Sequence, residues 1–262
     1  MDRRETTWPS RRPENCDRLG VVDTPSNSRP IAFICAMTME IKPLIEKLSL
    51  EKAQIAGLVV QSGRLGDRAV VATVTGMGTK LATEGTTRLL DAIPIGRVVV
   101  VGITGAVDDV TPIGTLVLPE VVVDSATGAE HRPVPLGKGT PRGKMWTGDK
   151  LLTDLDVISG LRAQGVVALD METAAIAEVC EQREVPWSVF RAISDRATDG
   201  TVTEEVFRLG NMDGTPNKQA VARYFVKHPG SIPRMARMAK DAKLAADTAA
   251  DAAVRACAGV EF

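Results

Sequence analysis

The sequence predicts an α/β fold with a largely parallel sheet. Short apolar runs rich in β-branched residues alternate with helical patterns along the chain, and this alternation is typical of such folds. The most hydrophobic run, GRVVVVGITGAV at 96–107, has the continuous apolar character of a central strand. With 262 residues and 44% hydrophobic content, the chain can bury a large core.

The first elements are apolar runs separated by glycine turns. We expect a buried strand at 31–37 (IAFICAM), followed by a hairpin over 56–76 with Gly63 and Gly66 between its strands. The turn TGMGTK precedes a helix from about Leu81 to Leu90. Two further strands are predicted after the central one, within GTLVLPEVVVDS at 114–125.

The second half of the chain contains two clear helical patterns. Residues 128–146 are rich in Pro, Gly and Lys and predict a loop, after which a helix opens within LDMETAAIAEVCEQR at 169–183. A strand is expected at 186–194 (PWSVFRAIS), and the Ala-rich stretch 234–257 predicts a long helix.

The first thirty residues differ from the rest of the chain. They are rich in Arg, Pro, Ser and Asn and lack a hydrophobic period, so we expect residues 1–30 to be a disordered leader. Neither a signal-peptide core nor a stretch long enough to span a membrane is present in the sequence. We therefore expect one domain over residues 31–262.

Charge and cysteine content exclude several classes of function. The net charge of −1 comes from interspersed signs, which argues against nucleic-acid or membrane partners and favours a small-molecule ligand. The four cysteines are far apart and form no CxxC motif, so no disulfide framework or zinc site is indicated, and a reducing cytoplasm is favoured. With two separated histidines, we expect no metal or other cofactor. Any chemistry is then expected to depend on carboxylates.

Two carboxylates come directly after predicted strands. Asp195 follows VFRAIS and Glu40 follows IAFICAM. Open α/β sheets bind ligands beyond the carboxyl ends of their strands, so both acids lie where an active site is expected. The alternative is that each only caps the next helix, because Asp and Ser are favoured at that position.

Glu172 is less ordinary because it begins a buried stripe. Glu172, Ile176 and Val179 share one helical face at i, i+4, i+7 spacing, and Asp170 can cap that helix. A buried carboxylate needs hydrogen-bond donors, which the hydroxyls of a sugar diol would supply. The alternative is a favourable interaction with the helix dipole in the first turn.

Several segments together resemble a known family. The stretches IAFICAMTMEIKPLIEKL, TGMGTK, VGITGAV, TGDKLL and ALDMETAAIAEVCEQREVPWSVFRAISDRA occur in the order and roughly the spacing of the 5′-methylthioadenosine/S-adenosylhomocysteine nucleosidases, members of the nucleoside phosphorylase and nucleosidase superfamily. The resemblance covers about residues 31–197 and the final helix, and DMETAAIAEV with RAISD is its most specific part. It implies a three-layer αβα fold around a mixed, mostly parallel sheet.

The resemblance also implies roles for individual residues. The general acid that protonates the purine at N7 falls on Asp195, with Ser194 as an orienting hydroxyl. The general base that activates water falls on Glu40, and Arg191 matches an arginine that helps to hold this water. Glu172 matches the ligand of the ribose hydroxyls, with Met171 packing against the sugar.

Cleavage of an N-glycosidic bond explains these residue types. The leaving purine must become neutral while a nucleophile adds to an oxocarbenium-like sugar from the other face. Asp195 would then hold a proton near neutral pH, for which we expect its pKa to be raised beside Ile193 and Phe190.

Water is favoured over phosphate as the nucleophile. In related phosphorylases an arginine that holds phosphate lies in a motif like the stretch VVGITGAV, and here Val100 takes its place. An apolar side chain cannot bind phosphate. The alternative is that backbone amides at Gly76 and Gly78, or at Gly102 and Gly105, hold phosphate instead.

The chain departs from the family pattern at several positions that concern substrate choice. Ile103 replaces a small hydroxyl residue near the water and sugar, although Thr104 beside it can substitute, and Leu151 replaces an aromatic that stacks on adenine. Residues 198–230 are longer than the family's link, and we expect them to cover the purine or reshape the pocket. The loop 128–146, which in relatives reaches the 5′ end of the substrate and often crosses a dimer interface, is also unusual.

We therefore expect hydrolysis of a purine nucleoside with a modified 5′ position, first of all methylthioadenosine or adenosylhomocysteine. The resemblance also implies a cytoplasmic homodimer with a role in methionine salvage. Three alternatives stay open: phosphorolysis, hydrolysis of an adenosyl compound with a bulky 5′ group, and a nucleoside-binding protein without turnover.

Overall fold

A computed structural model describes residues 29–198, 200 and 202–259. The predicted leader at 1–30 therefore lies almost entirely outside the described residues, and the single domain over 31–262 stays a prediction.

The strands are β1 (Ile31–Cys35), β2 (Glu51–Ile55), β3 (Leu58–Leu65), β4 (Arg68–Val74), β5 (Arg97–Ala106), β6 (Leu116–Val117), β7 (Val121–Asp124), β8 (Glu130–His131), β9 (Lys144–Thr147), β10 (Val166–Asp170) and β11 (Trp187–Arg196). The helices are α1 (Thr38–Leu48), α2 (Thr79–Ala92), α3 (Leu155–Ala163), α4 (Thr173–Gln182), α5 (Glu204–Phe207), α6 (Lys218–Lys227) and α7 (Ile232–Ala258).

One mixed sheet contains all of these strands. Its order is β2-β3-β4-β1-β5-β10-β9-β7-β8, while β11 pairs with β5 and β6. The predicted central strand is confirmed, because β5 pairs in parallel with both β1 and β11. Among the described strands, five pairings are parallel and five are antiparallel, so the sheet is mixed as expected but less parallel than the apolar runs indicated.

Helices cover both faces of the sheet and complete the expected three layers. Neighbouring residues of β5 point to opposite faces. Val99 packs with Phe33 and Leu44 in the core beneath α1 and α7. Val100 packs with Leu89 and Ile176 in the core beneath α2 and α4. The apolar run is continuous because both of its faces are buried.

The pairing along β5 creates an opening in the sheet. β1 accompanies β5 only as far as Val100, and β10 joins it from the other direction at Gly105 and Ala106. Residues 101–104 therefore have β11 on one side and the carboxyl end of β1 on the other. Ligands of open α/β sheets bind at such a point.

Some predicted elements differ from the structure. Gly63 lies inside β3, opposite Val70, and not in the hairpin turn. The predicted loop 128–146 contains β8 and the start of β9, and β2, β10, α3, α5 and α6 were missing from the prediction. These elements are short or half-exposed, so their apolar pattern is weak. The helix predicted from about Leu81 begins two residues earlier, at Thr79, and the long final helix is confirmed.

Candidate active site

A cavity of about 760 Å³ lies at the carboxyl ends of β5 and β11. Its volume lies within the ~300–1,000 Å³ of small-molecule sites. All nine residues predicted for the site line this cavity: Glu40, Ile103, Thr104, Leu151, Met171, Glu172, Arg191, Ser194 and Asp195. The structure therefore brings together residues that are up to 155 positions apart in the sequence.

Glu40 lies in the first turn of α1 and is fully buried. Its Oε2 accepts hydrogen bonds of 2.8 Å from the backbone N–H groups of Ala36 and Met37, and its Oε1 accepts one of 2.8 Å from Ile103. Burial raises the pKa of Glu40, although Arg191 and these N–H groups oppose the increase. Glu40 does reach back to the start of its own helix, as the capping alternative requires. The bond to Ile103 is additional and fixes the carboxylate against β5.

Arg191 is the centre of the buried charge cluster. From β11, its Nη1 contacts Glu40 at 3.4 Å and donates to the Ile103 carbonyl at 3.1 Å. Its Nη2 contacts Asp170 at 2.8 Å and Glu172 at 3.3 Å. Burial lowers the pKa of Arg191, but the three surrounding carboxylates outweigh burial and raise it. The guanidinium is therefore cationic, and three acids share one positive partner.

Asp170 has a larger part in this cluster than the sequence indicated. Its Oδ2 accepts a hydrogen bond of 3.0 Å from the N–H of Thr173, the first residue of α4, as the predicted cap would. The same oxygen also binds Arg191, and Oδ1 accepts a hydrogen bond of 2.5 Å from Thr147 Oγ1. Asp170 therefore ties the guanidinium to the start of α4.

Glu172 points away from its own helix. It occupies the position before α4, where its side chain makes no capping hydrogen bond. Its Oε1 instead accepts a bond of 2.9 Å from the N–H of Gly78, in the turn before α2. Burial raises the pKa of Glu172 to about 7, opposed by Arg191 and assisted by Asp170. The carboxylate thus contacts Gly78 and Arg191 and lines the cavity, while its position directly before α4 also agrees with the helix-dipole alternative.

Asp195 and Ser194 lie within the last residues of β11 and not after its end. A register shift occurs between Ile193 and Asp195 where β11 pairs with β5. Ser194 Oγ donates a hydrogen bond of 2.5 Å to Asp195 Oδ1. Among the described residues, the next helix is α5, whose cap is Thr203, so Asp195 does not cap a helix.

The remaining predicted residues line the cavity in simpler ways. Ile103 contributes its N–H to Glu40, and the hydroxyl of Thr104 donates to the Leu169 carbonyl at 2.6 Å. Met171 and Leu151 present side chains to the cavity wall. In the part of the chain that is described, no group of three or more His, Cys, Asp or Glu side chains is arranged to hold a metal ion.

Backbone amides that were candidates for anion binding already have partners. The N–H of Gly78 binds Glu172, and the N–H of Gly76 binds the Ala36 carbonyl at 3.1 Å. The N–H of Ile103, between Gly102 and Gly105, binds Glu40. Val100 is buried in the core. Carboxylates thus occupy the N–H groups of Gly78 and Ile103, two of the donors around the cavity that could otherwise hold a phosphate.

One feature of the site was missed by the sequence analysis. The contact between Gly78 and Glu172 uses a backbone amide, which has no signature in the sequence. Residues 202–214 also line the cavity, through Val202, Val206, Phe207, Gly210 and Gly214. This placement agrees with the expectation that the long segment 198–230 reshapes the pocket.

A protein-family model matches most of this chain. The family model described as "Phosphorylase superfamily" matches residues 30–137 and 136–227. The chain belongs to the phosphorylase superfamily. Within this superfamily it is 30% identical over 210 residues to the 5′-methylthioadenosine/S-adenosylhomocysteine nucleosidase of Tolumonas auensis, covering 68% of this chain and 90% of that protein. The enzyme of the same name from Shewanella denitrificans is 30% identical over 64% of this chain and 87% of its own length.

Among solved structures, the S-adenosylhomocysteine nucleosidase of Streptococcus pyogenes, in complex with 5-methylthiotubericidin, superimposes with a TM-score of 0.67. The alignment covers 90% of this chain and 98% of that one at 19% identity, and it supports the fold assignment. The family model and the two relatives at 30% identity confirm the resemblance to nucleosidases of this superfamily. Among the described residues, no helix has the length and apolar character needed to cross a bilayer.

Proposed function

We propose that this protein hydrolyses the N-glycosidic bond of a 5′-modified adenosine, of the methylthioadenosine or adenosylhomocysteine type, and releases adenine. The observation that carries this proposal is that Glu40, a buried carboxylate held by three backbone N–H groups, lines the same cavity as Asp195. Nucleosidases of this type are the relatives at 30% identity.

Asp195 acts as the general acid. It delivers a proton to N7 of the purine, so that the base leaves as a neutral molecule. The hydroxyl of Ser194, 2.5 Å from Oδ1, holds the carboxyl group in one orientation. Protonation by a well-placed acid contributes roughly 10²–10⁴-fold to the rate.

Glu40 acts as the general base and takes a proton from the attacking water. Burial raises its pKa towards the working pH, where a general base is most effective. Its N–H partners fix the carboxylate, and Arg191 lies 3.4 Å from the same Oε1, so the guanidinium is placed to orient the water. Preorganised groups of this kind stabilise developing charge without reorganising.

Glu172 binds the hydroxyls of the ribose. Its Oε1 is fixed by Gly78, and its remaining acceptor sites face the cavity that Met171 also lines. A diol that donates to this carboxylate supplies the hydrogen bonds that its burial requires. Leu151 provides apolar contact to the purine near Asp195.

Phosphorolysis is disfavoured by the same observations. Phosphate would need to displace Glu40 or Glu172 from the amides of Ile103 and Gly78, and it would meet three carboxylates around one guanidinium. Anions of one sign so close together repel in a buried site.

The proposal is tested by ultraviolet detection of adenine released from 5′-methylthioadenosine. The wild type should release adenine, and Asp195→Asn and Glu40→Gln should each reduce kcat by about 10²–10⁴-fold. Arg208→Ala, an exposed change remote from the charge cluster, is the matched control and should retain wild-type kcat. Tight binding of the nucleoside without any adenine release would instead identify a binding protein.

The resemblance also supports a homodimer in the cytoplasm as part of this proposal. Sedimentation of the purified protein tests the oligomeric state, with a species of twice the 27.9 kDa chain mass as the expected result.

A further inference from the structure

Residues 202–216 form a cover over one side of the cavity. This cover contains α5 and a turn in which the Asn211 N–H donates to the Thr215 carbonyl at 2.8 Å. A small core of its own supports it, in which Val206 and Leu209 pack against Tyr224 of α6 and Met238 of α7. The cover is therefore a packed unit.

Two backbone hydrogen bonds attach the cover to the segments that hold the proposed general base, Glu40, and the proposed ribose ligand, Glu172. The Thr38 N–H donates to the Asp213 carbonyl at 2.9 Å, and the Met77 N–H donates to the Met212 carbonyl at 2.7 Å. Thr38 follows Met37, whose N–H holds Glu40, and Met77 precedes Gly78, whose N–H holds Glu172. The cover thus lies over the sugar end of the cavity.

The surface that the cover presents to the cavity is apolar. Its described residues in the cavity wall are Val202, Val206, Phe207, Gly210 and Gly214. The adjoining wall is formed by apolar residues of other elements: Met37, Met39, Met77, Met238 and Ala242. Flexible, polarisable methionines adapt to apolar groups of different shape.

Charged residues of the cover face solvent. The side chains of Glu204 and Arg208 are 73% and 78% exposed and pair with each other at 2.9 Å. Glu205 is 60% exposed and contacts His228. The charged residues that line the cavity belong to other elements. Among them, Asp149 lies beside the loop of Met77 and Gly78, and its Oδ1 already accepts hydrogen bonds from the N–H and the hydroxyl of Thr79.

We infer that the cover selects nucleosides whose 5′ substituent is a long, uncharged, apolar chain, and selects against the amino-acid tail of adenosylhomocysteine. This inference rests on the proposed function and names its substrate class. A 5′ chain that leaves the fixed sugar beneath the cover meets methionine, valine and phenylalanine. An ammonium and a carboxylate at that place would lose water without gaining partners, which is unfavourable.

A series of 5′-alkylthioadenosines tests the inference with the wild-type protein. Adenine release is measured for the methylthio, butylthio and octylthio compounds and for adenosylhomocysteine. Each buried methylene should raise kcat/KM by about fourfold, so butylthioadenosine should exceed methylthioadenosine by at least about tenfold. Adenosylhomocysteine should have the lowest kcat/KM of the four.

The possible failures are distinguishable. Adenine release that falls with chain length, or that is equal or faster for adenosylhomocysteine than for the butylthio compound, overturns this inference and leaves the proposed function standing. No adenine release from any compound overturns the proposed function, and the inference with it.

A pair of variants at neighbouring positions assigns the effect to the cover. Phe207→Ala should reduce the ratio of butylthio to methylthio kcat/KM by about tenfold, because the ring is removed from the cavity wall. The exposed neighbour change Arg208→Ala should leave this ratio unchanged. An equal ratio of butylthio to methylthio kcat/KM in the two variants would contradict the inference. The series of compounds with the wild-type protein tests the inference even if one of the variants does not fold.

Discussion

Substitution of Gly102 by alanine should move the catalytic base while leaving every side chain of the site chemically intact. A Cβ at this position would lie 2.6 Å from both the carboxyl carbon of Glu40 and Nη1 of Arg191, and closer still to Oε1. Ordinary contacts begin at 3.4 Å, so the Glu40 carboxylate and the Arg191 guanidinium must move by about 1 Å relative to Gly102. Glu40 cannot shift freely, because three backbone N–H groups hold it.

The expected loss follows from that displacement. A misplacement of about 1 Å reduces the rate by roughly 10²-fold, so kcat for adenine release from 5′-methylthioadenosine should fall by about this factor. Overpacking should also lower the free energy of unfolding by about 1–3 kcal/mol. Both quantities are measurable on the same preparation, by ultraviolet absorbance and by urea denaturation.

Gly160→Ala is the matched control. A Cβ at Gly160, inside α3, has no neighbour within 4 Å, so this variant should keep wild-type kcat and gain about 0.5–1 kcal/mol in stability. A folded Gly102→Ala protein with wild-type kcat would refute the assignment of Glu40 to the reacting centre.

Two further predictions concern the buried charges. Burial raises the pKa of Glu172 to about 7, so the folded protein keeps a proton that the unfolded chain releases above about pH 4.5, and stability is lost as the pH rises through this window. Between pH 5 and pH 8, the free energy of unfolding, measured by urea denaturation, should therefore fall less for Glu172→Gln than for the wild type. An equal fall in both proteins would show that the titration of Glu172 is not its cause. Arg191→Met leaves three buried carboxylates without their cation and should destabilise the fold by about 3–5 kcal/mol at pH 8, and by less at pH 5, where they take up protons. An equal loss at both pH values would show that packing, and not charge, is responsible.

The sequence predicted those elements whose apolar pattern is strong. β5, β11 and α7 were found because one or both of their faces are buried. β2 was missed because its residues are exposed or only half-buried. β10 was missed because its five residues merge with the pattern of α4. The true mixture of parallel and antiparallel pairings depends on tertiary neighbours, which local patterns do not contain.

The site was predictable to the level of residue types. Carboxylates at strand ends indicated Glu40 and Asp195, and the buried stripe indicated Glu172. Deciding between a helix cap and a ligand-facing acid required coordinates, because the decision depends on the partner atom. Glu172 binds the amide of Gly78, 94 residues away, and backbone amides are the same at every non-proline position.

The cover shows a different limit. Its length was visible in the sequence, but its placement depends on two backbone hydrogen bonds, to Thr38 and Met77, and on the absence of a side chain at Gly214. A Cβ at Gly214 would lie 2.5 Å from Met37 Cγ. Close packing of this kind arises only when the chain has folded.

The nucleophile is the most direct test of the account as a whole. The purified protein is incubated with 5′-methylthioadenosine, with and without inorganic phosphate, and the sugar product is identified by phosphorus and proton NMR. The account predicts adenine and free 5-methylthioribose at the same rate in both conditions, because Glu40 delivers water from the position where an anion would bind. Formation of a sugar 1-phosphate, with a rate that rises with phosphate concentration, would contradict it.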